Sequence, residues 1–484
     1  MSLLGLSNGL LLEIISYLKG SCTSISRCSR QLHEIAEPVL YSSVYLNHPK
    51  SYTMFIRTIV RNPSLAGYVR HFRTVGHPYG WDFDLSFLTL EDRAWIRKQL
   101  PDSIHGRSNC NKWFKKMFFS SDTNWLEVPI YWDAITTFLF TLFAAKLQTI
   151  RIDSFGWNVD RYRYIDMVLL SSVKFPGRFQ HLEKVTLMAC SSTDDITESS
   201  ALPVHLIIPF LQVPSVAKFK ASNLSLVLNP FKSAFHIRDL TLDGCRLTGR
   251  SLTSFLLCFH SLKRLKFYHV ASDHAMLAAS YVRRGFANSK DTLEEIVLIQ
   301  APGDVEGWSG DDSSTSDADS GFAASEDSDM EASMPNVLGS LQSFTKLKTL
   351  HIESTSLLPS ETRRRPRQPN SESLCFFGER DEVPLANCFP ASLEHLTLNI
   401  STGIHCYLSQ MLSKAMLTSN APNFKSVYLL FRHGYERNGE PMKPIVGGLE
   451  ELRDLVRVEG VELSWDCMCE LETSFQCYEG LMKG

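Results

Sequence analysis

The sequence has little net charge. Its 49 Lys and Arg against 52 Asp and Glu leave a formal −3 over 484 residues. No global field draws such a chain to nucleic acid or to an anionic membrane, and neither is expected as a partner. It also lacks any apolar run of the ~18–20 residues that span a bilayer. The longest candidate, Ala134 to Leu147, contains three Thr and a Lys and reads as a core helix. No Lys or Arg precedes Lys19, and Glu13 interrupts the first apolar stretch, which argues against a secretory signal. The twelve cysteines run from Cys22 to Cys477 without framework spacing. They read as reduced thiols of a cytosolic or nuclear protein.

Catalytic signatures are missing too. There is no Gly-x-x-x-x-Gly-Lys-Ser/Thr phosphate loop, no His-Glu-x-x-His metal helix and no Gly-x-Ser-x-Gly nucleophile elbow. Cys467-Met-Cys469 with Cys477 is the one cysteine cluster, and it lacks both the pair spacing and the fourth ligand that zinc needs. No catalytic residue, metal or cofactor is expected. The composition, 44% hydrophobic and 21% charged, is that of an ordinary globular chain long enough for several domains or one solenoid.

What is present begins at the N-terminus. Asn8 to Lys19 reads as a helix capped by Ser7 or Asn8 and stopped near Gly20. At roughly 100° per residue, Tyr17, Leu10, Ile14, Leu18, Leu11 and Ile15 fill one sector nearly twice the ~100° that a helix on a single core needs. Such a helix serves two apolar surfaces. Ser24 to Ala36 reads as a second helix, with Ile25, Cys28, Leu32, Ile35 and Ala36 on one side and Pro38 ending or bending it. The bland alternative is an amphipathic hairpin packed wholly on its own body.

Three segments in order carry a resemblance. They are Leu6-Ser7-x-x-Leu10-Leu11-Leu12-Glu13-Ile14-Ile15-Ser16-Tyr17-Leu18, then Ser26 to Ala36, then Pro38-Val39-Leu40-Tyr41. Together they resemble an F-box of the fungal type, over about a tenth of the chain. The family's Leu-Pro stands here as Leu6-Ser7, its acidic residue two places on is Gly9, and the interhelical link lacks Asp-Leu. The resemblance implies docking on the Skp-type adaptor of a cullin–RING ubiquitin ligase, and through it on a cullin. Leu6, Leu10, Leu11, Ile14, Ile15 and Leu18 would make the contact, with Leu32 and Tyr41 closing the motif. The departures favour an alternative, an interaction scaffold without ligase work.

Residues 47–134 form a connector rich in aromatics, with Trp81, Trp95, Trp113, Trp125 and Trp132. They imply a buried packing layer, and Tyr68 to Arg73 reads as an edge strand. An enzyme site in this connector is a third reading, marked by a deep pocket of acid and base residues. From Ile135 a unit recurs, a helical apolar run followed by apolar-x-x-apolar-x-apolar. The ten copies start at Leu147, Leu182, Val216, Ile237, Leu262, Leu293, Leu347, Leu393, Phe424 and Val458. One strand and one helix bury too little alone, but stacked units share a core. The class expected is therefore α/β. A helical F-box at 1–46 precedes the connector and an irregular solenoid at 135–484. The repeats are similar to degenerate leucine-rich repeats, which implies parallel strands on a concave face and helices outside.

Two insertions interrupt the series. Residues 302–335 hold ten acidic residues between Asp304 and Glu331 and are expected to be disordered; residues 357–390 hold Arg363-Arg-Arg-Pro-Arg367. Strand side chains alternate, so residues beside the core positions face the other way. Among them Lys184, Lys218, Lys220, Arg264, Lys266 and Tyr268 form the candidate surface for a protein target, one that is acidic or phosphorylated. His351, Glu353 and Asn399 belong to the same outward set. The function expected is that of a non-catalytic, substrate-recruiting ligase subunit.

Overall fold

Each of the ten six-residue patterns leads into a β-strand, and the fold is α/β with a large parallel sheet. The computed structural model describes residues 6–76, 85, 87–99, 128–155, 163–174, 177–189, 202–225, 233–245, 247, 249–270, 279–301, 340–353, 389–400, 423–432, 453–454, 457 and 460–468. The acidic insertion and residues 357–388 of the second insertion lie outside these, as do Trp81, Trp113 and Trp125. The chain divides into two compact units, residues 1–225 with 233–241, and residues 226–232 with 242–484.

The first unit opens with α1, Asn8–Tyr17, α2, Cys22–Ser26, and α3, Arg30–Leu40. Ser7 caps α1 by accepting from the Leu10 amide at 3.4 Å. The second helix of the sequence reading is in fact two. Ser29 is extended and accepts from the Leu32 amide at 3.1 Å, which starts α3 afresh. Cys28 falls in the turn and is exposed rather than buried. Pro38 does not end the helix, which runs on to Leu40. A proline in the last turn forfeits only one amide donor, and the chain closes with Tyr41 donating to the Glu37 carbonyl.

The sheet of this unit runs β1, Ser43–Leu46, β2, His71–Val75, β3, Thr149–Asp153, β4, Lys184–Met188, and β6, Lys218–Ser222, followed by the first residues of β8, Asp239–Cys245. The described pairings of β1 through β6 are parallel and in one register, Val44–Phe72–Ile150–Val185–Phe219. The strand read as an edge, around Phe72, is interior; β1 is the edge. Parallel strands need crossovers, and α4, Pro49–Arg61, joins β1 to β2. Its entry is fixed by Pro49 in the first turn and by a capping box between His48 and Ser51. Helix α5, Leu90–Gln99, and α6, Val128–Phe143, lie between β2 and β3, and α7, Arg163–Lys174, lies between β3 and β4. A short pair, β5, Leu202–Pro203, and β7, Leu224–Ser225, stands apart from the main sheet.

Of the connector's described tryptophans Trp132 is buried and Trp95 half-buried. Phe140 and Phe143 of α6 meet Phe72 of β2 at ring distances of 5.7 Å, and Trp95 stands edge-on to Phe138 at 6.3 Å. Thr74 occupies a core position that the neighbouring strands of this unit give to Leu46, Ile152, Leu187 and Ala221, and it is fully buried. Tyr52 of α4 makes this tolerable. Its hydroxyl bonds Thr74 Oγ1 and accepts from Trp132 Nε1 at 2.9 Å, and burial pushes its pKa up to about 12. Tyr52→Phe should cost about 1–3 kcal/mol in denaturant unfolding, because buried Thr74 Oγ1 and Trp132 Nε1 each lose a hydrogen bond. Adding Thr74→Val should recover part of that loss, since an apolar pair leaves less unsatisfied.

The second unit holds the rest of β8, then β9, Arg264–Val270, β10, Glu295–Ala301, β11, Thr349–Glu353, β12, His395–Ile400, β13, Ser426–Arg432, and β14, Glu462–Met468. Its described pairings are parallel too, with Leu265, Ile296, Leu350, Leu396 and Val427 in one register. The last strand departs from the sequence reading. Val427 pairs with Leu463, not with Val461, so the pattern is displaced by two residues. Gly460, at φ +75°, takes the place expected of an apolar residue and turns the chain into the strand. A two-residue displacement keeps the same side chains inward, so the core does not register the difference.

Candidate functional site

The N-terminal helices split the expected contact residues into two sets. Leu11, Ile15 and Leu32 are buried, together with Cys22, Ile35 and Ala36, and Leu6 packs partly buried against them. The buried residues are the hairpin's own core. Around the same helix, Leu10 is 51% exposed, Ile14 37%, Leu18 45% and Tyr17 82%. By the helical angles these four form one continuous sector of roughly 100°, beside the buried one. Leu12 is exposed as well, and Tyr41 is half-buried. Gln31 donates to Asn8 Oδ1 at 3.2 Å and ties α3 to the start of α1, so the exposed sector is held against a folded base.

The strand face opposite the core differs between the units. In the first unit Lys184 and Lys218 are exposed and directly opposite each other across β4 and β6, with half-buried Lys220 two residues along. Among the described residues neither Lys184 nor Lys218 has an ion-pair partner. Two further cations share this face and were not in the sequence-derived set. Arg73 and Arg151 both grip Asp153, at 2.7 and 2.8 Å, and Arg73 also stacks on the Tyr45 ring at 4.5 Å. Their omission follows from reading β2 as an edge piece instead of a full repeat. Val69-x-x-Phe72-x-Thr74 is the pattern with one polar substitute.

In the second unit the candidates are answered locally. Lys266 pairs with Glu295 of the neighbouring strand at 3.2 Å, and Tyr268 is half-buried. Arg264 is exposed on the same strand. Three residues expected to face outward are buried instead. Asn399 donates to Glu353 Oε1 at 3.1 Å, which turns its oxygen toward His351 Nε2 at 2.8 Å and makes that nitrogen the donor. Such a closed network is a structural contact rather than an open recognition face.

At the entrances of β10 to β13, a groove of about 320 Å³ is lined by Glu294, Lys346, Lys348, Ser392, Glu394 and Lys425, among others. Glu394 sits between Lys425 at 2.5 Å and Lys348 at 3.2 Å, and their hydrogen bonds hold its carboxyl below the usual range. Charges here largely cancel.

Two buried titratable groups stand out elsewhere. Asp133 of α6 accepts from the Tyr164 and Ile165 amides, each at 2.9 Å, and so caps the start of α7. Burial nevertheless raises its pKa to about 7, with Asp166 adding repulsion. His269 of β9 is buried, and burial lowers its pKa to about 4. Among the described residues there is no group of three or more His, Cys, Asp or Glu that could hold a metal ion. Side chains of the cluster at Cys467, Cys469 and Cys477 lie outside the description. Cys22, Cys28, Cys245 and Cys258 are not in disulfides. No helix among the described residues is long and apolar enough to cross a membrane. No family model and no curated protein matches this chain.

Proposed function

We propose that this chain is a substrate-recruiting subunit of an SCF-type cullin–RING ubiquitin ligase. The N-terminal helices would act as an F-box on a Skp-type adaptor, and the parallel strands, as leucine-rich-repeat-like units, would hold a protein target. The chain would make no bond itself; it would raise the target's effective concentration beside a charged conjugating enzyme. The observation that carries this reading is the exposed sector Tyr17, Leu10, Ile14 and Leu18, on a helix whose neighbouring sector is already spent on its own core. Fully burying a Leu or Ile contributes roughly 1.5–3 kcal/mol. Leu10, Ile14 and Leu18 are already about half covered, so each adds on the order of 1 kcal/mol. The open Tyr17 ring supplies much of the remaining contact area.

The test separates the two sectors. Leu10→Glu with Ile14→Glu should abolish co-purification of a Skp-type adaptor while leaving the circular dichroism of the chain unchanged. Ile15→Glu should also lose the adaptor, but by unfolding the hairpin, because it places a charge in the core. Retention of the adaptor by the Leu10/Ile14 variant contradicts the assignment.

A further inference from the structure

Arg73 and Arg151 are register partners on β2 and β3, roughly 4.8 Å apart at the backbone. Two like charges directly opposite each other destabilise a sheet unless something answers them. Asp153, two residues further along β3, answers both, with one oxygen on Arg73 Nε at 2.7 Å and the other on Arg151 Nε at 2.8 Å. Among the described residues neither arginine has another hydrogen-bond or ion-pair partner. Two positive charges against one negative leave the group cationic. The arginine side chains are 45% and 47% exposed, against 19% for Asp153, so the carboxylate lies sunk between two open guanidinium groups.

Neighbours in the same row shape the spot. Tyr45 of β1 is in register with Arg73, and its ring lies 4.5 Å from the guanidinium carbon. Such stacking engages the flat face of the guanidinium and leaves its edge free to donate. Thr186 of β4 is in register with Arg151 on the other side, low between Arg151 and Lys220 and only 7% exposed. Its hydroxyl has no hydrogen-bond partner among the described residues. A polar group so far withdrawn from water is costly to leave unused.

We propose that Arg73, Arg151 and Thr186 form a binding site for a phosphomonoester dianion on the outward face of β2, β3 and β4. The site does not depend on the adaptor reading, and it narrows recognition from charge in general to one group of fixed shape.

Phosphomonoester follows from the donors that remain. A guanidinium has five N–H donors, and with Nε committed to Asp153 each arginine keeps the fork of its two Nη groups. A carboxylate has two oxygens and fills one such fork. A phosphodiester also has only two free oxygens, with a single charge. A phosphomonoester has three terminal oxygens and close to two negative charges, so it can answer both forks at once and still accept from the Thr186 hydroxyl. Asp153 stays in place as the brace that holds the two forks side by side.

The test uses the full chain and a fluorescein-labelled pentapeptide, Ala-Ala-phosphoserine-Ala-Ala, read by anisotropy. Wild type should bind it at least tenfold more tightly than the same peptide with Glu or Ser at the centre. Arg73→Lys with Arg151→Lys keeps the charge but removes both forks, and should weaken binding at least tenfold. Thr186→Val, close in shape but without the hydroxyl, should weaken it about threefold. Lys50→Gln with Lys146→Gln, on exposed residues of α4 and of the turn before β3, should leave it unchanged. Circular dichroism checks that each variant is folded. No binding by wild type, equal binding by the Arg73/Arg151 variant, or no preference for phosphoserine over Glu overturns the proposal. Displacement by a short oligonucleotide as readily as by unlabelled phosphopeptide overturns the choice of a monoester. Glycerol phosphate distinguishes the source. Displacement equal to that by the phosphopeptide assigns the site to a small phosphomonoester, and a tenfold preference for the peptide assigns it to a phosphorylated side chain of a partner protein. Adaptor co-purification by the Arg73/Arg151 variant should be unaffected, so failure here and failure of the N-terminal reading are told apart.

Discussion

Replacing Asp133 by Asn should make the first unit more stable at pH 8 and flatten its response between pH 4 and 7. The native carboxyl keeps its proton up to about pH 7, whereas the unfolded chain releases it near 3.8. Between those values the native state holds more protons, so stability falls as pH rises through the window. Each pH unit of displacement is worth about 1.4 kcal/mol, so the full swing is on the order of 4 kcal/mol. Asp166, also buried, faces the same carboxyl and adds to the cost of ionising it. Asn keeps an acceptor oxygen for the amides at the start of α7 but has no proton to lose. Urea titrations at pH 4, 5.5, 7 and 8, read by exchange of the α7 amides, measure the difference. A variant whose slope equals that of wild type would show that Asp133 ionises normally.

The second unit should respond to pH with the opposite sign. His269 stays neutral in the folded chain down to about pH 4, while an unfolded histidine gains its proton near 6.5. Its contribution is therefore complete above pH 6.5 and is lost as pH falls toward 4, by about 3 kcal/mol. The cause is burial beside the Phe267 ring, 5.8 Å away, where a charged imidazole would be poorly solvated. His269→Leu should remove most of this acid sensitivity, read by exchange of the β9 and β10 amides between pH 7 and 4. Unchanged sensitivity would place the acid-labile group elsewhere.

The strands were legible because their core positions repeat. Eight of the ten patterns fall, each within its own unit, in the register that the spacing implies, Ile150, Val185 and Phe219 in the first and Leu265, Ile296, Leu350, Leu396 and Val427 in the second, since neighbouring strands must present the same two positions to a shared core. Pattern alone went astray where one residue broke the apolar rule. Thr74 kept β2 from being read as a full repeat rather than an edge piece, because its partner, Tyr52, sits 22 residues away in another element. Gly460 misled at β14, because a backbone turn can occupy a place that elsewhere needs a side chain. The division of α2 from α3 was a contest between apolar periodicity and a local cap, and Ser29 won it by capturing the Leu32 amide.

The candidate surfaces were legible only in part, for a related reason. Periodicity gives the face of a strand, so it placed Lys184, Lys218 and Lys220 together. It does not give a neighbouring strand's charge, so Glu295 beside Lys266 went uncounted. Nor does it reveal that an outward face is covered, as at His351 and Asn399. On α1 the apolar sector was visibly wider than one core needs, but only the packing of Leu11 and Ile15 against Leu32 showed which residues that core takes.

The most direct test of the central claim is calorimetric titration of the purified chain with a Skp-type adaptor at several temperatures. Covering Leu10, Ile14, Tyr17 and Leu18 should give a one-to-one complex with a negative heat-capacity change, and Leu10→Glu with Ile14→Glu should abolish it. A wild-type chain that shows no binding, or a variant that binds as wild type does, would contradict the claim that the open sector of α1 is a docking surface.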